Sequence, residues 1–103
     1  MIARVWRGAT SADDAEEYAA YVEETGMKGA RAIDGSRGTL VLRRLDGDRA
    51  EFMTVLLFDS LESVRSFAGD EIERAVFFPE DDRYLVKRDL QVSHYDVDAQ
   101  VTI

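Results

Sequence analysis

The sequence has no cysteine, and it has only one proline and one histidine among its 103 residues. The absence of cysteine excludes disulfides, thiolate nucleophiles and cysteine-based metal sites. It is compatible with a reducing cytosol, so we expect a cytoplasmic protein. The single histidine, His94, is poor evidence for a metal site, because the common sites need several nitrogen or sulfur ligands. We therefore expect no bound metal.

Long apolar runs and a surplus of positive charge are missing too. No apolar stretch approaches the ~20 residues of a membrane-spanning helix, and the first residues show no signal-peptide pattern. The 21 acidic residues outnumber the 13 basic ones and give a net charge of -8. We therefore expect neither a nucleic acid nor an anionic membrane surface as a partner. The length fits one domain spanning residues 1–103.

The first part of the chain shows a strand pattern followed by a helix pattern. Residues 2–7 alternate as in a strand, which Gly8 is expected to end. A helix is predicted to begin after Ser11, a capping residue, and to stop at Gly26. Its apolar stripe has the spacing i, i+3, i+4, i+7 and consists of Ala15, Tyr18, Ala19 and Val22.

The rest of the chain predicts a hairpin, a second helical region and a last strand. The turn signal Asp46-Gly47-Asp48 separates two β-rich runs, residues 39–45 and 50–58. Glu62 follows Asp59 at the spacing of a capping box and predicts the second helix, which ends at Gly69. The remaining predicted elements are a short helix over 71–77, a helical turn or loop over 80–86, a strand over 89–97, and a tail over 98–103 that is either frayed or paired with a partner subunit.

This β-α-β-β-α-β order is typical of a ferredoxin-like α+β fold, an antiparallel sheet with helices on one face. The strand over 50–58 is apolar on both faces, which a solvated face would not be. One face carries Phe52, Leu56 and Phe58, and the other carries Met53, Val55 and Leu57. Since the chain's own helices cover only one face, we expect a second copy to cover the other and form a homodimer.

Three stretches and the order of the elements resemble the antibiotic biosynthesis monooxygenase (ABM) family of dimeric α/β-barrel proteins. The stretches are Ile2-Ala3-Arg4-Val5-Trp6, Phe58-Asp59-Ser60-Leu61-Glu62 and Phe67-Ala68-Gly69. The resemblance covers about residues 2–97. It implies a dimer whose two sheets face each other, with a pocket between sheet and helices in each subunit.

The resemblance also bears on chemistry. Some members of the family are cofactor-independent monooxygenases that act on small aromatic or quinol-type substrates, so no cofactor is expected. Related members bind and degrade haem, and many others have no demonstrated activity. Family members often carry a histidine late in the second helical region. Residues 74–83 contain none here, which disfavours the haem function.

The residues that could carry chemistry each have a structural alternative. Arg4 could stabilise a substrate oxyanion, or it could pair with a carboxylate. His94 and Tyr18 could move protons, or they could be a histidine bonded at a sheet face or dimer interface and a core aromatic residue. The aromatic residues that could bind substrate, or simply fill the core, are Trp6, Phe67, Phe77 and Phe78.

Three functions follow from these expectations. The first is a cofactor-independent monooxygenase, an oxidoreductase, with Arg4, His94 and Tyr18 in its site. The second is a non-catalytic dimeric module, for small-ligand binding or scaffolding, whose pocket Trp6 and the phenylalanines fill. The third and weakest is haem binding or degradation.

Overall fold

The computed structural model describes residues 1–101; the last two residues of the predicted tail lie outside that range. A single antiparallel sheet forms one layer of the molecule. Its strands are β1 (Ile2–Ser11), β2 (Ser36–Asp46), β3 (Arg49–Phe58), β4 (Leu85–Arg88) and β5 (Ser93–Asp96). Their order is β2-β3-β1-β4, and β5 pairs with the first half of β1.

The helices are α1 (Ala15–Val22), α2 (Lys28–Arg31), α3 (Leu61–Ala68) and α4 (Asp81–Tyr84). They pack on one face of the sheet, called the inner face below. Tyr18 and Val22 of α1 and Val64 of α3 share a buried core with the inner-face side chains of β3. The ferredoxin-like α+β fold predicted from the sequence is therefore confirmed. None of the helices within residues 1–101 is long and apolar enough to cross a membrane.

Strand β3 shows how the two faces of the sheet differ. Its inner-face residues, from Ala50 to Phe58, are buried at every second position. Met53, Val55 and Leu57 point to the opposite face, the outer face, and are half-buried. Leu40 and Leu42 of β2 lie beside them and are exposed. The outer face is thus apolar over these strands, and nothing within residues 1–101 covers it.

The prediction that Gly8 ends the first strand is wrong, because β1 continues to Ser11. Trp6 and Gly8 are two residues apart and share the inner face. A Cβ atom placed on Gly8 would lie 2.3 Å from Cη2 of Trp6. The indole ring therefore lies over Gly8, in the space that a larger side chain would occupy.

The prediction that Gly26 ends the first helix is also wrong. The helical path continues through a π-helical turn, Glu23–Met27, into α2. Thr25 Oγ1 donates to the carbonyl of Tyr21 within this turn, at 2.7 Å. A Cβ on Gly26 would lie 3.5 Å from Phe78, an ordinary contact distance, so the turn packs against that ring. Turns of this kind often occur at functional sites.

The short helix predicted over residues 71–77 does not form. This segment instead bonds to the connection between β4 and β5: Ala75 N donates to Leu90 O at 2.9 Å, and Val92 N donates to Glu73 O at 2.7 Å. The predicted last strand over 89–97 forms only over Ser93–Asp96, as β5, since residues 90–92 serve this second pairing; β4 precedes the predicted range. The ambiguous stretch over 80–86 contains the single helical turn α4.

Candidate functional site

A small cavity of about 50 Å³ lies between the inner face of the sheet and the helices. This volume is enough for roughly one or two water molecules. Six of the seven side chains singled out in the sequence line the cavity, namely Arg4, Trp6, Tyr18, Phe67, Phe77 and Phe78. Residues 72–81, called the cover segment below, supply the wall formed by Val76, Phe77 and Phe78.

Arg4 holds the cover segment in place. Its side chain is buried, with 3% of its surface exposed. Nη1 donates to the carbonyl of Ile72 at 2.5 Å, and Nη2 donates to the carbonyl of Arg74 at 2.7 Å. Burial lowers the pKa of the guanidinium to about 10, so it remains charged at neutral pH. Charged donors to carbonyls are among the stronger hydrogen bonds in proteins.

His94 lies directly beside Arg4, although it does not line the cavity. The pairing of β1 with β5 sets the two residues opposite each other. His94 Nε2 lies 3.2 Å from Arg4 Nη1. An arginine can only donate, so Nε2 accepts and the ring is neutral with its proton on Nδ1. Burial, and then the charge of Arg4, lower the pKa of His94 below its ordinary value.

A buried carboxylate, Asp81, fastens the far end of the cover segment. Its Oδ2 accepts from the backbone N–H of Phe78 at 2.7 Å, and its Oδ1 accepts from the Tyr18 hydroxyl at 3.3 Å. Burial raises the pKa of Asp81 and, with the Asp81 charge, that of Tyr18. In this arrangement the Tyr18 phenol stays protonated at neutral pH and donates its hydrogen bond to Asp81.

Sequence analysis did not identify Asp81 as part of this site. It lies in the acidic run Glu80-Asp81-Asp82, which is typical of a solvated surface or a helix cap. Only its position three residues after Phe78, where a carboxylate can reach back to a backbone N–H, distinguishes it. The structure shows 4% of its surface exposed, whereas its two acidic neighbours are exposed.

Aromatic packing forms a further wall of the cavity. The Trp6 and Phe77 rings meet edge to face, with 6.2 Å between their centres. Trp6 Nε1 donates to the carbonyl of Asp89 at 2.8 Å, and the Arg88 guanidinium lies 4.7 Å above the Phe77 ring. The cavity is therefore a small, partly open aromatic site with a cationic and an acidic anchor.

The fold and site define a ferredoxin-like α+β domain with an aromatic cavity under a cover segment. No family model and no curated protein matches the sequence. Solved structures with the same fold do match nearly the whole chain. A candidate antibiotic biosynthesis monooxygenase from Bacillus cereus superposes with a TM-score of 0.69 at 14% identity, covering 100% of this chain and 96% of that one.

Two further structures extend the comparison. A candidate antibiotic biosynthesis monooxygenase from Deinococcus radiodurans has a TM-score of 0.67 at 17% identity and covers 100% and 98% of the two chains. The haem degrader MhuD from Mycobacterium tuberculosis, with two haems in its active site, has a TM-score of 0.59 at 14% identity and covers 99% and 100%. The chain thus shares the fold of structures assigned to the family that its sequence resembles, and at these identities the likeness concerns the fold.

The residues of this cavity do not fit haem. The only histidine accepts a hydrogen bond from Arg4, and the second helical region offers no other. Within residues 1–101, no three His, Asp or Glu side chains are grouped so as to hold a metal ion.

Proposed function

We propose that this chain is a homodimeric protein of the ABM fold that binds a small aromatic or quinol-type molecule between its sheet and its helices. The observation that carries the proposal is the composition of the cavity wall. Trp6 and Phe67 offer aromatic faces, while Arg4 and Tyr18 place polar groups among them. Apolar walls with a few fixed polar groups are the usual form of a small-molecule site.

Binding requires the cover segment to move, because the cavity as it stands admits only water. The segment follows Gly69, whose φ of 84° ends α3 in a conformation that favours glycine. Side-chain bonds from Arg4 and Asp81 hold its two ends. Backbone bonds to residues 90–92 hold its middle, so opening requires these bonds and the side-chain bonds to break while the five-stranded sheet stays intact. A ligand would then replace the contacts that Phe77 and Phe78 make with the cavity.

The homodimer rests on the outer face of the sheet. This face exposes leucines and valines on adjacent strands, among them Leu40 at 52% exposed. A patch of this kind on a sheet is commonly covered by a partner, and a second copy covers it with the same surface. The absence of cysteine accords with a cytoplasmic location for this dimer.

A second candidate function is a cofactor-independent monooxygenase, an oxidoreductase, acting on the same small aromatic class of molecule. The neutral imidazole of His94 beside the cationic Arg4 favours this reaction, because a neutral imidazole can accept a proton. An activated CH₂ group and O₂ would give C=O and water, so the substrate supplies all four electrons that reduce O₂. His94 or Tyr18 would move the proton, and Arg4 would stabilise the oxyanion once the cover segment has released it.

Fluorescence tests the binding proposal directly, because Trp6 is the only tryptophan and lines the cavity. Titration with 1-naphthol or 1,4-dihydroxynaphthalene is expected to change the Trp6 emission saturably. Phe77→Ala removes part of the cover and is expected to tighten binding. Leu90→Ala, at an exposed leucine outside the cavity, is the control. If neither compound binds at millimolar concentration, in the wild-type chain or in Phe77→Ala, the proposal fails.

An oxygen electrode separates the two functions. Oxygen uptake with 1,4-dihydroxynaphthalene above the uncatalysed rate, lost in His94→Ala, is the result expected of an enzyme. Saturable binding without uptake leaves the binding module as the function. Uptake that persists in His94→Ala and in Tyr18→Phe would show that neither residue moves the proton.

A further inference from the structure

The outer face of the sheet changes character along the strands. Residues that pair across β2, β3 and β1 form rows, and successive rows on one face are two residues, or roughly 7 Å, apart. The rows centred on Leu57 and Val55 are apolar. The next row contains Arg7 and Met53, and the one after it contains Glu51 and Arg44. The apolar surface therefore ends in a charged border.

A groove of about 470 Å³ lies over this border. Its floor is the β1 backbone at Gly8 and Ala9 with the side chains of Leu42 and Met53. Arg7 and Lys87 are exposed side chains at its rim. The groove is about nine times larger than the inner cavity, so it has room for a molecule that the inner cavity is too small to hold.

The groove is positively charged although the chain is not. Four cationic side chains line it, Arg7, Arg43, Arg44 and Lys87, against two carboxylates, Glu51 and Asp89. This is a surplus of two positive charges in a chain of net charge -8.

Two of the four cations already have carboxylate partners. Arg44 pairs with Glu51 at 2.5 Å, and Arg43 pairs with Glu16, which is not among the groove's lining residues. Among the ion pairs of residues 1–101, none within 4 Å engages Arg7 or Lys87. These two side chains are therefore available to an anion.

We infer that the groove binds a free amphipathic carboxylate, with its carboxylate between Arg7 and Lys87 and its apolar part on Leu42 and Met53. An arginine and a lysine at one end of an apolar floor match such a molecule in both charge and polarity. An anionic membrane surface fits less well, because the remaining charge of the chain would repel it. The proposed dimer would cover the two apolar rows and leave the groove at the mouth of its interface.

The test is a titration of the ¹⁵N-labelled full chain with sodium octanoate, followed by NMR. The amide signals of Gly8, Ala9 and Met53 are expected to shift saturably, while those of Gly26 and Val76 at the inner cavity stay unchanged. 1-Octanol lacks the charge and acetate lacks the apolar part, so both are expected to bind at least about tenfold more weakly. Vesicles of anionic phospholipid are expected not to bind.

Variants locate the carboxylate. Arg7→Gln and Lys87→Gln are each expected to weaken octanoate binding about fivefold. Arg65→Gln, an exposed arginine on α3, is the matched control and is expected to bind normally. Shifts centred on the inner cavity, equal affinity for 1-octanol, or unchanged affinity in both groove variants would overturn the inference. Groove amides that do not respond at millimolar octanoate would overturn it too, and would show the groove to be closed in the dimer.

Discussion

At the scale of single residues, the candidate site depends on what Arg4 contacts. Because side chains alternate along a strand, the sequence places Arg4 and Trp6 on one face of β1, and the structure agrees. The partners of Arg4 could not be foreseen, since they are backbone carbonyls of Ile72 and Arg74, nearly seventy residues away. A carbonyl carries no signature of its own in the sequence. The oxyanion role of Arg4 therefore remains a proposal that requires its present bonds to open.

Replacing Arg4 by methionine is expected to destabilise the protein. The substitution keeps much of the buried volume but leaves two carbonyls without a donor, and each such loss costs about 1–3 kcal/mol. The free energy of unfolding in urea should fall by about 2–5 kcal/mol. Arg65→Met, at an exposed position, should change it by less than about 0.5 kcal/mol. A similarly small change for Arg4→Met would show that the bonds to the cover segment contribute little.

His94 should make stability depend on pH. The folded state holds its pKa below the ordinary value of 6.5, so the unfolded chain binds the proton first as pH falls. The stability contribution of neutral His94 is present above pH 6.5 and is lost as pH decreases towards the folded pKa. Urea midpoints measured between pH 8 and 5 should decrease over this window in the wild-type chain. His94→Gln, which can still accept a hydrogen bond from Arg4, should remove this decrease. Identical pH profiles for the wild-type chain and His94→Gln would show that His94 does not cause the decrease.

At the scale of secondary-structure elements, the sequence predicted the regular strands and the hairpin well. Their apolar alternation and the Asp46-Gly47-Asp48 turn are local sequence patterns, and elements specified by such patterns form as predicted. The errors fall where a contact from elsewhere in the chain decides the outcome. Gly8 continues a strand because it pairs with Phe52 and Arg88 on either side, and Gly26 continues a helix beside Phe78.

The predicted helix over 71–77 fails for the same reason. Its backbone groups bond to residues 90–92 and to Arg4, which a helical pattern cannot reveal. The cover segment is thus held by long-range contacts along its length. Its bonds are fewer than those within the sheet, so amide hydrogen exchange should be faster in residues 72–78 than in β1 and β3.

Gly8→Ala tests whether β1 needs its glycine for Trp6. The new Cβ would overlap Cη2 of the indole, so the ring must leave its place beside Phe77. Overpacking of this kind costs about 1–3 kcal/mol, and the Trp6 emission should shift because the ring becomes more exposed. Gly29→Ala is the matched control: nothing lies within 4 Å of its Cβ, and it is in a helix, where alanine is favoured. If both variants unfold at the wild-type temperature with unchanged emission, Trp6 does not occupy the space over Gly8.

At the scale of the whole molecule, the sequence predicted two apolar faces, and the structure assigns them. Leu56 points inward and is 3% exposed, while Val55 points outward and is half-buried. The inner face is closed by the chain's own helices. The outer face has only the proposed second copy to cover it. Sequence alone could not decide which of the two residues faces outward. Alternation along a strand separates two faces, but it does not show which face the helices cover.

An aspartate at each of these two neighbouring positions should give different results. Val55→Asp puts a charge on the proposed dimer interface, so it should yield a folded monomer with near-native circular dichroism. Leu56→Asp puts a charge into the core, where an unpaired carboxylate costs several kcal/mol, so it should yield unfolded or insoluble protein. A Val55→Asp variant that remains a dimer would place the interface elsewhere.

The most direct test is sedimentation equilibrium of the unmodified chain over a range of micromolar concentrations. A homodimer joined through the outer face of the sheet should sediment with about twice the 11.6 kDa mass of the chain, and Val55→Asp should sediment with the mass of a single chain. A stable, soluble monomer of the unmodified chain at all concentrations would contradict the proposed dimer, and would mean that this apolar face exists without a second copy.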